Sequence, residues 1–106
     1  MSALMHVEIV GADRNVWSGS ATMVSARTVV GDIGILANHE PVFSILAPSV
    51  VEVTMESGEQ VFASVDEGFL SVARNRVSVL AEHSRLFDTK DEAAAMVAER
   101  VGPEVA

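Results

Sequence analysis

Three histidines, the adjacent carboxylates Asp66 and Glu67 and a scatter of serines are the side chains in this 106-residue sequence first weighed for catalysis. His6, His39 and His83 lie in separate segments. None is paired at the i, i+4 spacing that sets two imidazoles on one helix face, so the fold alone would have to assemble a metal site. Surface or partner-facing histidines are the favoured reading. Asp66 and Glu67 are neighbours in a β-type segment, where successive side chains point to opposite faces, and they suit a turn before Gly68 better than an acid and base acting together. No serine sits in a G-x-S-x-G elbow.

The remaining stretch of interest is "VVGDIGILANHEPV", Val29 to Val42. Its "GDIG" is neither G-x-G-x-x-G nor a Walker loop, no Lys follows the glycines, and no helix starts there to offer its N-terminus to an anion. On pattern alone it reads as a tight turn at Gly31 and Asp32, a core strand through Ile33, Ile35 and Leu36, and a second turn at Asn38 to Pro41. No catalytic residue, metal or cofactor is expected.

The elements that would position these residues are mostly β. From Leu4 to Arg85, short β-type segments alternate with turn residues at a spacing of roughly 8 to 12 residues, which suggests a sandwich or barrel. Val51, Val53 and Met55 share one face of "SVVEVTM", and Val61, Ala63 and Val65 share one face of "VFASV". Val77, Val79 and Ala81 do so in "RVSVLAE", where Leu80 on the other face suggests a strand covered on both sides. Turns are expected at Ala12 to Asn15, Glu56 to Glu59 and Ala73 to Arg76, which supply the Asp, Asn and Gly that tolerate positive φ. The period changes after residue 87. Thr89 and Glu92 have capping-box spacing, Ala93, Met96, Val97 and Val101 recur at helical spacing, Arg100 lies in the last turn, and Gly102 and Pro103 end the helix. The expected division is a β-sandwich over 1–87 and a short helical segment over 88–106.

Composition narrows the function classes. A formal charge of −8 with seven basic residues argues against a nucleic-acid partner. Cysteine is absent, which removes disulfides and thiolate sites and fits a reducing compartment. The first ten residues lack the features of a signal peptide, and no apolar run approaches the roughly 20 residues of a membrane helix. A cytoplasmic, soluble chain without direct lipid insertion, monomeric when isolated, is expected.

Taken in order, "WSG" at Trp17 to Gly19, "GDIGILANHEPV", "DEGFLSV" at Asp66 to Val72 and "VSVLAE" at Val77 to Glu82 resemble the epsilon subunit of F-type ATP synthases over nearly the whole chain. The family's run G-x-x-G-I-L-P-x-H-x-P is matched by Gly31, Gly34, Ile35, Leu36, His39 and Pro41. Ala37 stands where the family usually has proline, and Glu67 where a glycine usually precedes Gly68. The resemblance implies an antiparallel sandwich of ten strands and a non-catalytic role in the central stalk, coupling proton translocation to ATP synthesis. It also implies two partners, the gamma subunit and the membrane rotor ring of c subunits, and a peripheral place on the cytoplasmic face of the cell membrane. Carried over residue by residue, Thr28, Gly31, Asp32 and Ile33 become candidates for the ring contact, and Gly11, His39 and Ser44 for the gamma contact. The stretch from Val29 to Val42 is then a docking surface.

Family members commonly carry two C-terminal helices that inhibit ATP hydrolysis, and some bind ATP there. With one short helix expected, weak or absent ATP binding and limited or no inhibition by that device follow. The rival reading is a free-standing β-sandwich module for a ligand, for which the absence of tyrosine and a single tryptophan leave few aromatics to stack on.

Overall fold

The computed structural model describes residues 3–101 and the side chains of 3–99. Within them the chain forms ten strands and then one helix: β1 (Met5–Val10), β2 (Asn15–Ala21), β3 (Met23–Thr28), β4 (Gly31–Leu36), β5 (Val42–Leu46), β6 (Ser49–Thr54), β7 (Gln60–Val65), β8 (Gly68–Ala73), β9 (Arg76–Ala81), β10 (Ser84–Phe87) and α1 (Lys90–Val101). The sandwich of ten strands is the expected one.

Hydrogen bonding runs in the order β10-β7-β6-β3-β5-β8-β9-β1-β2, with β4 paired on β3. Only Thr28 opposite Leu46 joins β3 to β5, and there the sheet folds into two layers. One layer holds β10, β7, β6, β3 and β4, and the other β5, β8, β9, β1 and β2. All pairs are antiparallel except β1 with β9. Period-two alternation fills the space between the layers: Val7, Ile9, Val51, Val53, Leu70, Val77 and Val79 are fully buried. Burial of such side chains stabilises by roughly 1.5–3 kcal/mol each.

The turns carry the conformations their residues suggested. Arg74 and Asn75, both at positive φ, close the β8–β9 hairpin, and Gly58 (φ 92°) closes β6–β7. Gly11 N–H donates to Arg14 O at 2.8 Å between β1 and β2. Gly68 is required for packing: a Cβ there would collide with the carbonyl oxygen of Leu80 and lie 2.9 Å from Ala81 Cα.

Two expectations need correction. Leu80 is 43% exposed, so β9 is dry on one face only, and Leu36 is 59% exposed because alternation in β4 buries Ile35 and turns its neighbour outward.

The helix begins as expected. Thr89 Oγ1 accepts the Glu92 N–H at 3.2 Å and donates to Glu92 Oε1 at 3.1 Å, an N-cap at the expected spacing with Asp91 and Glu92 in the first turn. It packs on β6, β7 and β10. Ala93 is fully buried there, Met96 and Val97 are half-buried, and Lys90 Nζ meets Glu52 Oε2 at 2.9 Å. The expected contact through the Val101 side chain and the stop at Gly102 and Pro103 lie outside the described residues.

Candidate docking surface

The β3–β4 hairpin is built by a register in which Thr28 faces Gly31, Arg27 faces Asp32 and Ala26 faces Ile33. The turn is therefore Val29 and Val30, two residues earlier than expected, and Gly31 and Asp32 already belong to β4. Thr28 is 5% exposed: its Oγ1 donates to Gly31 O at 2.9 Å and accepts from Val30 N–H at 3.2 Å, so it shapes the tip from beneath. Gly31 has φ 136° and nothing within 4 Å of where a Cβ would stand, so backbone conformation, not space, calls for glycine. Ile33 is half-buried and packs on the core. Of the four ring-contact candidates, Gly31 and Asp32 are exposed.

Asp32 is already partnered. Arg27 Nε lies 2.7 Å from its Oδ1, and this hydrogen bond first, then the guanidinium's charge, hold the carboxyl below the usual carboxylate range, with a smaller pull from Lys90. The same pair raises Arg27. What the tip presents unpaired is apolar: Val29 is 62% and Val30 90% exposed. Sequence pattern passed over both, although two valines directly before a glycine-containing turn were a readable signal.

The three candidates for the gamma contact do not form one site. His39 follows the β4–β5 turn, its N–H donating to Leu36 O at 3.1 Å and its Nδ1 lying 2.7 Å from Glu40 O. Gly11 lies just beyond Val10, at the opposite end of the layer. Val42 aligns through Val72 and Val77 with Val7, whereas Leu46 aligns through Gly68 with Ala81, so the two residues are separated by at least four steps of about 3.3 Å. Ser44 is half-buried and shares the inward side of β5 with Leu46.

The outward side of that strand holds what the sequence reading missed. Phe43 and Ile45 point away from the core, at 71% and 50% exposure. Ile45 is paired with Phe69, and Phe69 with Leu80, so the three side chains stand in one line across β5, β8 and β9. Phe69 and Leu80 are 45% and 43% exposed, and the Phe43 and Phe69 rings stack with centroids 5.4 Å apart. Val29 N–H donates to Ile45 O at 3.0 Å, which joins the hairpin tip to this ridge. A contiguous apolar surface of this kind marks an interaction site. Beside the ridge, Phe43 aligns with Ser71, Ser78 and Glu8.

Among the described residues no group of three His, Asp or Glu could hold a metal ion. Asp66 accepts the His83 N–H at 3.1 Å and lies 2.7 Å from His83 Nδ1, which ties it to the β9–β10 turn.

A family model described as the ATP synthase, Delta/Epsilon chain, beta-sandwich domain, matches residues 4–85. The ATP synthase epsilon chain of Streptomyces avermitilis is 48% identical over 91 residues, 86% of this chain and 73% of that one. That of Rhodococcus jostii is 47% identical over 94 residues, 88% and 77% of the two chains. Among solved structures, a chain of the Euglena gracilis mitochondrial ATP synthase (OSCP/F1/c-ring in rotational state 1) shares the fold with a TM-score of 0.77 at 23% identity. The match covers 94% of this chain and 64% of that one.

Proposed function

Because this chain belongs to the epsilon-chain family of ATP synthases, we propose that it is a non-catalytic subunit of the central stalk that binds the gamma subunit and the membrane rotor ring. It would thereby help couple proton translocation to ATP synthesis, held at the cytoplasmic face of the membrane through the complex. The observation that carries this reading is identity of 48% across a sandwich that leaves an apolar ridge and an apolar hairpin tip uncovered.

In this reading the sandwich, 1–87, does the docking and the segment 88–106 is an appendage to it. The β3–β4 hairpin reaches the ring through Val29, Val30, Gly31 and Asp32, while Thr28 and Ile33 hold its shape. His39 and Ser44 flank the gamma contact. Gly11, at the other end of the layer, contributes only if that partner extends the full length of the strands. The helix described here spans 12 residues and rests on the sandwich, so inhibition of hydrolysis by these residues is limited.

Size-exclusion chromatography with light scattering tests the reading directly. The chain mixed with the gamma subunit of its own ATP synthase should elute as a one-to-one complex. Separate elution of two folded proteins would overturn it in favour of an independent binding module. For the ring, Asp32→Lys inverts a charge at the hairpin and should reduce ATP-driven proton pumping in membranes carrying the variant. Unchanged pumping would remove Asp32 from the contact.

A further inference from the structure

We infer that the cleft between the free edges of β2 and β10 binds hydrogen phosphate, held between the guanidiniums of Arg14 and Arg85. The cleft lies apart from the apolar ridge and the hairpin tip, and its occupancy does not require the partners of the stalk.

β2 and β10 stand at the two ends of the hydrogen-bonded order, β2 paired with β1 and β10 with β7. The two strands approach each other without pairing, so each brings an unpaired backbone edge to the gap between them. The middle of that gap, about 380 Å³ in volume, is lined by Arg14, Asn15, Val16, Arg85 and Leu86, with no acid among them. Acids stand at both ends instead: Asp13 and Glu82 beside Gly11, and Asp88 and Glu92 beyond Trp17. A compact anion fits between them. An extended acidic peptide or a nucleic-acid strand would run over like charges at one end or the other.

In a chain of fifteen acids and seven basic residues, cations readily find partners, as Arg27 and Lys90 do at 2.7 and 2.9 Å. Arg14 and Arg85 make no ion pair among the described residues. The Arg85 guanidinium lies 5.5 Å over the Phe87 ring, which restrains the plane of its fork and leaves the in-plane N–H groups for an oxyanion.

The strand edge adds selectivity. Arg85 N–H donates to Ser64 Oγ at 3.3 Å, and Arg85 O accepts from that hydroxyl at 3.4 Å. Its backbone groups therefore face β7, and by alternation those of Leu86 face the cleft, a donor and an acceptor side by side. Hydrogen phosphate answers both. Its anionic oxygens take the Leu86 N–H and the guanidinium hydrogens, and its P–OH donates to Leu86 O. Sulfate and the phosphodiester of a lipid headgroup carry no such hydrogen at neutral pH, so they would set an anionic oxygen against the carbonyl.

The test follows the backbone amides of the full chain by NMR as sodium phosphate is added at constant ionic strength. Arg14, Asn15, Arg85 and Leu86 should shift along one saturating curve, while Arg74 and Arg76, exposed arginines away from the cleft, stay still. Arg14→Gln and Arg85→Gln each remove a charge-assisted contact from an exposed position, so the fold is kept, and each should raise Kd about tenfold or more. Sulfate should bind several-fold more weakly than phosphate. Shifts that fail to saturate, that are equal at Arg74 and Arg76, or that persist unchanged in both variants would overturn the site. Sulfate binding as tightly as phosphate would overturn the assignment to hydrogen phosphate.

Discussion

The outer faces of the two layers differ in a way that runs against simple hydrophobic reasoning. The face of β6, β7 and β10 contributes Glu52 and Ser64, yet it is the one the chain covers with its own helix. The face of β5, β8 and β9 carries Phe43, Ile45, Phe69 and Leu80 and stays bare. Connectivity explains the choice. Only Asp88 and Thr89 separate β10 from α1, so the helix reaches β10 and its neighbours in the sheet and no further. Its seat is correspondingly makeshift: among the described residues Ala93 is the one helix side chain fully buried there, Glu52 is answered by Lys90, and the Ser84 hydroxyl beneath Met96 and Val97 finds no hydrogen-bond partner. Self-coverage here follows tether length, and the apolar face is left uncovered by the described residues.

Four perturbations bear on that contrast. The largest effect is expected at the covered face, where Ala93→Glu forces a carboxylate against the sheet and should cost up to about 3 kcal/mol, the helix undocking before the charge is buried. Denaturant unfolding together with helical circular dichroism would register this, and affinity for gamma should not change. A lost affinity would mean that the two faces act together.

Thr89→Ala removes the N-cap bond to the Glu92 N–H and should cost about 1 kcal/mol, felt locally. Hydrogen exchange should quicken in the first helical turn and stay slow in β8 and β9; equal acceleration throughout would show that helix and sandwich unfold as one unit.

On the bare face Ile45→Glu should move stability by less than about 0.5 kcal/mol, because the side chain already stands half in water. A loss several times larger in a urea melt would place this face in the core after all.

The smallest effect belongs to Asp32. Arg27 depresses its carboxyl, so the pair's contribution is fully present above the unfolded carboxyl's value of about 3.9 and is lost as pH falls through the lower folded value. Melts below pH 5 should therefore be slightly flatter for Asp32→Asn than for the wild-type chain, and high salt should erase the difference, since both partners are solvent-exposed. A difference that survives 1 M salt would point to a buried role.

Much of the fold was legible because period-two burial is a local rule. Val51 and Val53, Val77 and Val79, and the Asn-bearing turn at Arg74 and Asn75 stand where alternation and turn chemistry placed them. Thr89 with Glu92 gave the helix start, since a capping box is contained within four consecutive residues. The candidate site was less legible. Asp32 was read as a turn residue and ring-contact candidate, and Arg27, five residues earlier, becomes its cross-strand partner only in the register of β3 on β4. Gly11 and His39, both carried over as gamma-contact candidates, stand at opposite ends of one layer, a separation set by strand register. Leu80 and Leu36 were read as covered, and they face outward.

Sequence by itself determined the β-type segments, the turns at Glu56 to Glu59 and Ala73 to Arg76 and the start of the helix, which follow from residues near one another, and, through motifs in order, the family and with it the count of ten strands. Its order also places apolar residues at successive positions in β5, Phe43 beside Val42 and Ile45 beside Leu46, and in β8, Phe69 beside Leu70. Which face meets the core, which is covered by α1 and which remains open were decided only by the tertiary structure. The reason is physical: alternation fixes that neighbouring side chains oppose each other, but only the packing of one layer on the other, and the two-residue tether of the helix, assign an inside and an outside to them.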